Sequence, residues 1–342
     1  MGNDWANDRL LKFMLGIVQH EHLGLAAKQL NTSQSNLSDA AKQFREHSGL
    51  VLYYLDKNKC VHRTRTGIAF AEMVPPLFEA RDEVMNALQA IDRGEISSLR
   101  FGCGTFVDPD TFRMACGIHK RYLPDCLIHP SHADTAQLVR EVISGEIDAA
   151  IVTLPVDAPE LQRQEIRRDR LVVCLRAGDP LAKNGAVHPA ELSGKPAVLY
   201  HPQQHPAAYA RLLQLLAEKG VEMDEQCRAS HPIEIQQLVL EGYGISLIRE
   251  GTVLHPGLIT RPIVGVTWTV DTALIYHRER HPKTVPVLAR ELAREWKRRL
   301  SGPTKKPVAK VIVPDPIDVT RRAPQVERAV PEQLLLPGLT VQ

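Results

Sequence analysis

The chain has 342 residues, 44% of them hydrophobic and 24% charged, with a formal net charge of +2, which is room for two or three domains with sizeable cores. No apolar run approaches the roughly 18 residues of a spanning helix, and the N-terminus "MGNDWANDRLLKF" carries acids where a secretory signal needs a basic region, so a cytoplasmic chain is expected, with no membrane partner. Residues 301–342 account for the whole net charge, so any nucleic-acid site must be a local patch.

Leu10, Phe13, Met14, Ile17 and Val18 recur at the spacing of an amphipathic helix. A second, short helix fits Leu23 to Leu30, and Asn31 ends it, since Asn tolerates the left-handed conformation a helix terminus often needs. Thr32 or Ser33 can then accept from the free N–H groups of a third helix, in which Leu37, Ala41 and Phe44 share one face and which Gly49 closes. Two short helices about a tight polar turn, covered by a first helix, predict a helix-turn-helix.

"LVLYYL" reads as a strand, and "DKNKCVHRTRTG" as the basic hairpin of a wing bearing Lys57, Lys59, Arg63 and Arg65. Residues 1–67 hold nine Lys/Arg against six Asp/Glu. Polar residues on the third helix would alone mean only a solvated face; beside a basic wing they suit DNA. Residues 68–93 predict a further helix, broken or kinked near its start by Pro75 and Pro76. Its Leu77, Val84, Leu88 and Ile91 form a seam for pairing with another helix, as in a homodimer.

From Leu99 the pattern changes to strand, helix, strand, helix, strand: "LRFGCG", Thr111 to Tyr122, "CLIHPS", Thr135 to Ser144, "IDAAIVTLP". A similar series follows through "RLVVCLRAG", "PAVLYHP", "PAAYARLLQLLAEKG", "CRAS", "IEIQQLVLEG" and "GISLI", completed by "TALIYHR" and a helix from Val285 to Leu300. Parallel sheets flanked by helices, in two lobes about a cleft, describe a small-molecule binder. Six scattered cysteines without a Cys-x-x-Cys pair predict buried free thiols. Residues 301–342, with seven prolines and little periodicity, predict a disordered Pro-rich tail. Its "QLLLPGL" is similar to short sliding-clamp-docking peptides, a pattern that also arises by chance.

Four stretches in order carry a family resemblance: "AAKQLNTSQSNLS", the Thr64 to Gly67 "T-x-x-G", "LVREVISGEIDAAIV" and "LVLEGYGISLI", with "YLPDCLI" and "GDPLA" between. Over about residues 8–300 the chain resembles the LysR-type transcriptional regulators. The resemblance implies an α/β chain with an all-α-type N-terminal winged helix-turn-helix and a bilobed, periplasmic-binding-protein-like effector domain. It implies domains at 1–67 (DNA binding), 68–97 (linker and dimerisation helix) and 98–300 (effector binding). Lobe one would be about 98–158 and 264–300, and lobe two about 159–263. Implied partners are double-stranded promoter DNA, a small-molecule effector, a second copy or three more in a homodimer or homotetramer, and RNA polymerase. DNA-binding candidates are Ser33, Gln34, Ser35, Asn36, Ser38, Asp39, Lys42, Lys57, Lys59, Arg63 and Arg65.

Two letters depart from the family pattern. Asp39 stands where a basic residue usually follows Ser38, and Leu55 replaces an Arg that would hold a phosphate. Both weaken the grip on the DNA backbone, unless Asp39 accepts from a base amino group. They also leave room for an alternative, a partner protein that senses a ligand without reading DNA.

For the effector, the resemblance points to Thr105, Phe106, Thr135 and Thr153 on lobe one and to Tyr200, His201 and His205 on lobe two. Hydroxyls and a helix N-terminus suit an organic acid. His201 and His205 are four apart, but Pro202 and Pro206 prevent a regular helix through them, so no metal is expected. No cysteine lies between Cys174 and Cys227, so thiol redox sensing is not expected. No catalytic residue or cofactor is expected either: there is no Gly-x-Ser-x-Gly elbow, phosphate loop or dinucleotide fingerprint, which leaves an enzyme on the two-lobed domain as the weaker alternative.

Overall fold

The computed structural model describes residues 5–20 and 22–301; the expectations for the Pro-rich tail lie outside the described residues. Helix α1 (Asp8–Gln19) is capped by Asn7, whose side chain accepts from the Leu10 N–H. Helix α2 (Leu23–Gln29) ends at Asn31 in the left-handed region, φ 48°. Helix α3 (Gln34–Ser48) is capped by Ser33 rather than Thr32 and closed by Gly49 at φ 70°. Met14, Ile17, Ala26, Leu37, Phe44 and Leu52 make the head's core.

The wing is smaller than "LVLYYL" suggested: β1 (Tyr53–Leu55) pairs antiparallel with β2 (Val61–Arg63). Arg65 is not in it. Thr64 accepts from the Gly67 N–H and caps α4 (Arg65–Met73), so Arg65 opens that helix. The single helix expected over 68–93 is two, broken at Val74, with α5 (Pro75–Asp92) starting on the proline pair that the first turn tolerates. Leu77, Val84 and Leu88 are exposed along α5, while Ala87 and Ala90 are buried.

The chain continues through β3 (Ser98–Gly104), α6 (Pro109–Tyr122), β4 (Leu127–Ala133), α7 (Thr135–Ser144), β5 (Ala149–Thr153) and β6 (Leu161–Arg176). Then come β7 (Pro196–Tyr200), α8 (Pro206–Ala217), β8 (Asp224–Ala229), α9 (Pro232–Glu241), β9 (Ser246–Arg249), β10 (Leu258–Pro262), β11 (Thr269–His277) and α10 (Val285–Ser301). The sheets are mixed, not wholly parallel. β4, β3 and β5 run parallel, but β11 is antiparallel to β5 and to β6, and β9 and β10 are antiparallel to β6.

β6 is twice the length of the apolar run that marked it. Its first half, "LQRQEIRRDR", is mostly polar because it pairs only with β11, from Leu161↔His277 to Arg170↔Thr269. Its second half turns apolar at Leu171 and pairs with β9 and β10. The strand thus crosses from one set of partners to the other near residue 170, where the Trp268 carbonyl accepts from the Leu171 N–H at 2.9 Å. Leu99, Phe101, Ile151, Leu274, Leu288 and Leu292 fill one lobe; Val173, Leu175, Leu199, Leu212 and Leu247 fill the other.

Gly67 has a packing reason. A Cβ there would stand 1.9 Å from the Leu52 carbonyl oxygen, so α4 sits directly on the wing's backbone. Helix propensity alone makes Gly67→Ala a gain of about 1 kcal/mol; the collision predicts instead a net loss of about 1–3 kcal/mol, read as a lower urea midpoint.

Candidate functional site

The α3 face opposite the core is polar, and its residues are not equivalent. The Asn36 amide donates to Thr32 Oγ1 at 3.2 Å, which ties it to the turn. The Gln34 amide lies over Gly24, where a Cβ would meet Nε2 at 2.7 Å. Lys42 pairs loosely with Glu46 at 3.9 Å. Ser35, Ser38 and Asp39 are exposed, and none makes a hydrogen bond or ion pair among the described residues.

Lys57 and Lys59 lie in the wing's turn, Lys59 at φ 62°, and Arg63 ends β2; all three are exposed, as is Arg65. Sequence reasoning missed the wing's own order. Asp56 accepts from the N–H groups of Asn58 and Cys60 and pairs with His62 at 3.0 Å, while Tyr54 stacks on His62 at 5.3 Å. The hydrogen bond from His62 comes first in holding Asp56 below the usual carboxylate range.

Between the lobes, the structure brings together four of the seven expected residues. Phe106, after β3, packs against the apolar cluster of the second lobe and meets Tyr200 at 5.7 Å. His205 is buried, with Nε2 2.8 Å from the Pro155 carbonyl and Nδ1 3.1 Å from Thr153 Oγ1. A carbonyl only accepts, so Nε2 carries the proton, and in the neutral ring Nδ1 accepts from the Thr153 hydroxyl. Burial lowers the His205 pKa, against the pull of the Pro155 hydrogen bond and of Asp134. Thr105 donates to the Ala133 carbonyl at 3.3 Å, a contact within the first lobe.

Two residues play other parts. Thr135 is buried but does not cap α7: Asp134 does, accepting from Gln137 N–H at 2.7 Å, so the chain's own carboxylate meets that helix dipole. His201 accepts from Gln203 N–H in a local turn, apart from the contact His205 makes. No group of metal-ligating side chains is found among the described residues. Three cysteines, Cys60, Cys116 and Cys227, are partly exposed rather than buried.

A second feature had no sequence signal. Arg167, on β6 and almost wholly buried, donates to Asp108 and to Asp169 at 2.6 Å and lies 4.0 Å over the Trp296 ring. Arg249 of β9 reaches Asp108 at 3.2 Å. Burial would raise Asp108, but the Asp110 N–H, Arg249 and Arg167 outweigh it and hold its carboxyl below the usual range. These charges clamp the crossover. A cavity of about 530 Å³ is lined from both lobes by Pro155, Arg163, Glu165, Arg211, Trp268 and Asp271.

The LysR substrate-binding domain family model matches residues 92–297. The regulator BudR of Raoultella terrigena is 22% identical over 282 residues, 81% of this chain and 97% of its own. BenM of Acinetobacter baylyi is 24% identical, over 78% of this chain and 92% of its own. The structure of full-length BenM aligns at TM-score 0.51 and 21% identity, over 87% of this chain and 99% of that one. A Corynebacterium glutamicum OxyR mutant aligns at 0.52 and 21%, over 85% and 93%. No helix among the described residues is long and apolar enough to cross a membrane.

Because His205 stays neutral in the fold, the unfolded chain binds protons that the folded one refuses once pH drops below about 6.5. Buried His119, lowered for the same reason, acts in the same direction. Stability should therefore fall as pH drops from above that value to below it. His205→Gln should lessen the fall in melting temperature, and an unchanged slope would count against a buried neutral ring.

Proposed function

The chain belongs to the LysR family of transcriptional regulators, and from this we propose that it binds promoter DNA through α3 and the wing and responds to a small organic acid held between its lobes. The observation that carries the effector half is the His205 contact, where side chains from both lobes meet beside a cavity large enough for a small molecule. Arg163 and Arg211 stand on the cavity wall beside Glu165 and Asp271; Arg163 donates to the Val156 carbonyl and Arg211 pairs with Glu218 at 3.6 Å, so a carboxylate would bind by exchanging with these partners for a two-pronged guanidinium contact. The Phe106 and Tyr200 rings offer an apolar wall. With Asp134 already capping α7, the anion is drawn by arginines and hydroxyls more than by a bare helix end.

The response needs a route to the DNA-binding head. Arg290 on α10 donates to Glu83 on α5 at 2.5 Å, so the effector domain grips the linker helix directly. Burial raises Glu83 above the usual carboxylate range, and Arg290 opposes that. An effector that favours one lobe arrangement biases the linker, which is a population shift between two assemblies. The exposed Leu77, Val84 and Leu88 are the pairing face of a homodimer; a homotetramer and contact with RNA polymerase belong to the same reading. Domains at 1–67, 68–97 and 98–300, with the lobe crossover moved into β6, complete it.

Two measurements test the halves separately. With a panel of aromatic and aliphatic acids and their amides, a shift in melting temperature should favour the acids, and Arg211→Ala should weaken that preference about tenfold; equal shifts by acids and amides would exclude an acid effector. For DNA, Lys57→Ala and Arg63→Ala should each weaken all sequences alike and lower the salt slope by about one, measured by fluorescence anisotropy.

A further inference from the structure

We infer that Asp39 is a specificity-determining residue whose carboxylate accepts from the exocyclic amino group of a cytosine in the major groove. The inference rests on the reading that α3 enters that groove. Within α3 the buried stripe is Leu37, Ala40, Ala41 and Phe44, so the residues opposite it are Ser35, Asp39, Lys42 and Glu46. Asp39 lies in the second turn, in the N-terminal half of the helix, which in a helix-turn-helix meets base edges.

Three observations separate it from an ordinary surface acid. It has no hydrogen bond or ion pair among the described residues, so its acceptor capacity is unspent. The first two turns of α3 hold no cation, and the next one along, Lys42, is paired with Glu46. By contrast the Asn36 amide is bonded to Thr32, and the Gln34 amide lies over Gly24 on the side of α2, so of these polar candidates Asn36 is tied to the turn.

An unpaired carboxylate carried toward phosphates opposes binding to every sequence, unless it finds a donor. The major groove offers two, cytosine N4 and adenine N6. Adenine sets the acceptor N7 beside its amino group, which repels a carboxylate. Cytosine sets no acceptor of its own there, and its partner guanine presents O6 and N7, to which the Ser35 hydroxyl on the same face can donate.

The test is selection from a random duplex library with the full chain and with Asp39→Ala and Asp39→Asn, followed by anisotropy on the selected site and its single-base changes. The parent should prefer C at one position of each half-site by about tenfold or more. Asp39→Ala should lose that preference alone, and Asp39→Asn should move it toward A, whose N6 and N7 match an amide. Identical profiles for all three proteins, including a uniform gain in affinity for the variants, would overturn the inference. A parent that enriches no sequence at low salt defeats the DNA-reading premise itself, a result distinct from shared profiles. Because the side chain is exposed, unchanged melting temperatures for both variants confirm that folding is not what is read.

Discussion

One strand belongs to both lobes of the effector domain. β6 spends its first half hydrogen-bonded to β11 and its second half to β9 and β10, so the lobes are joined through continuous backbone pairing rather than through a loose linker. Buried charge sits at the same place. Arg167 holds Asp108 at the start of α6 and Asp169 on its own strand, while Arg249 comes from β9. Removing one member would leave the others charged in a dry place, a loss of about 3–5 kcal/mol for a buried pair. The crossover is therefore held by both backbone pairing and buried charge.

The contacts between lobes away from the crossover are few and soft. His205 crosses to Thr153 and Pro155 through two hydrogen bonds, and Phe106 leans on Tyr200. A hydrogen bond contributes about 1 kcal/mol net, so this contact is weaker than the buried charges at the crossover. On the outer side, Arg290 and Glu83 fasten α10 to α5, which places the linker helix against the domain that senses.

The DNA-binding head is built on close backbone approach. Gly67 lets α4 rest on Leu52, and Thr64 binds the Val51 and Leu52 carbonyls while capping α4. The wing is thereby locked to the helix that leads into the linker. A small head with one modest core gains order from such polar locks, since conformational entropy opposes every loop it must hold.

Local signals were enough for the helices of the head. Asn31 and Gly49 take the left-handed positions their residue types favour, and Leu37, Ala41 and Phe44 fall inward because 3.6 residues make a turn. The buried strands "AAIVT" and "VVCL" were equally legible, since a strand covered on both faces must be apolar throughout. The first half of β6 was not, because a polar strand held by its neighbours carries no apolar run. Nor was the cap of α7, where Asp134 and Thr135 are both plausible until the backbone chooses between them.

The amino-acid sequence by itself determined most of the order of elements, the helix-turn-helix and the two-lobed architecture, but not the break between α4 and α5 or strand β10, because periodicity, caps and motif spacing act over a few residues. Only the tertiary structure decided that Arg167 is clamped between aspartates, that His205 joins the lobes as a neutral ring, and that Arg163 and Arg211 share a cavity wall. Each of these brings together residues distant in the chain, and burial, which sets their charge and partners, exists only once the chain has closed around them.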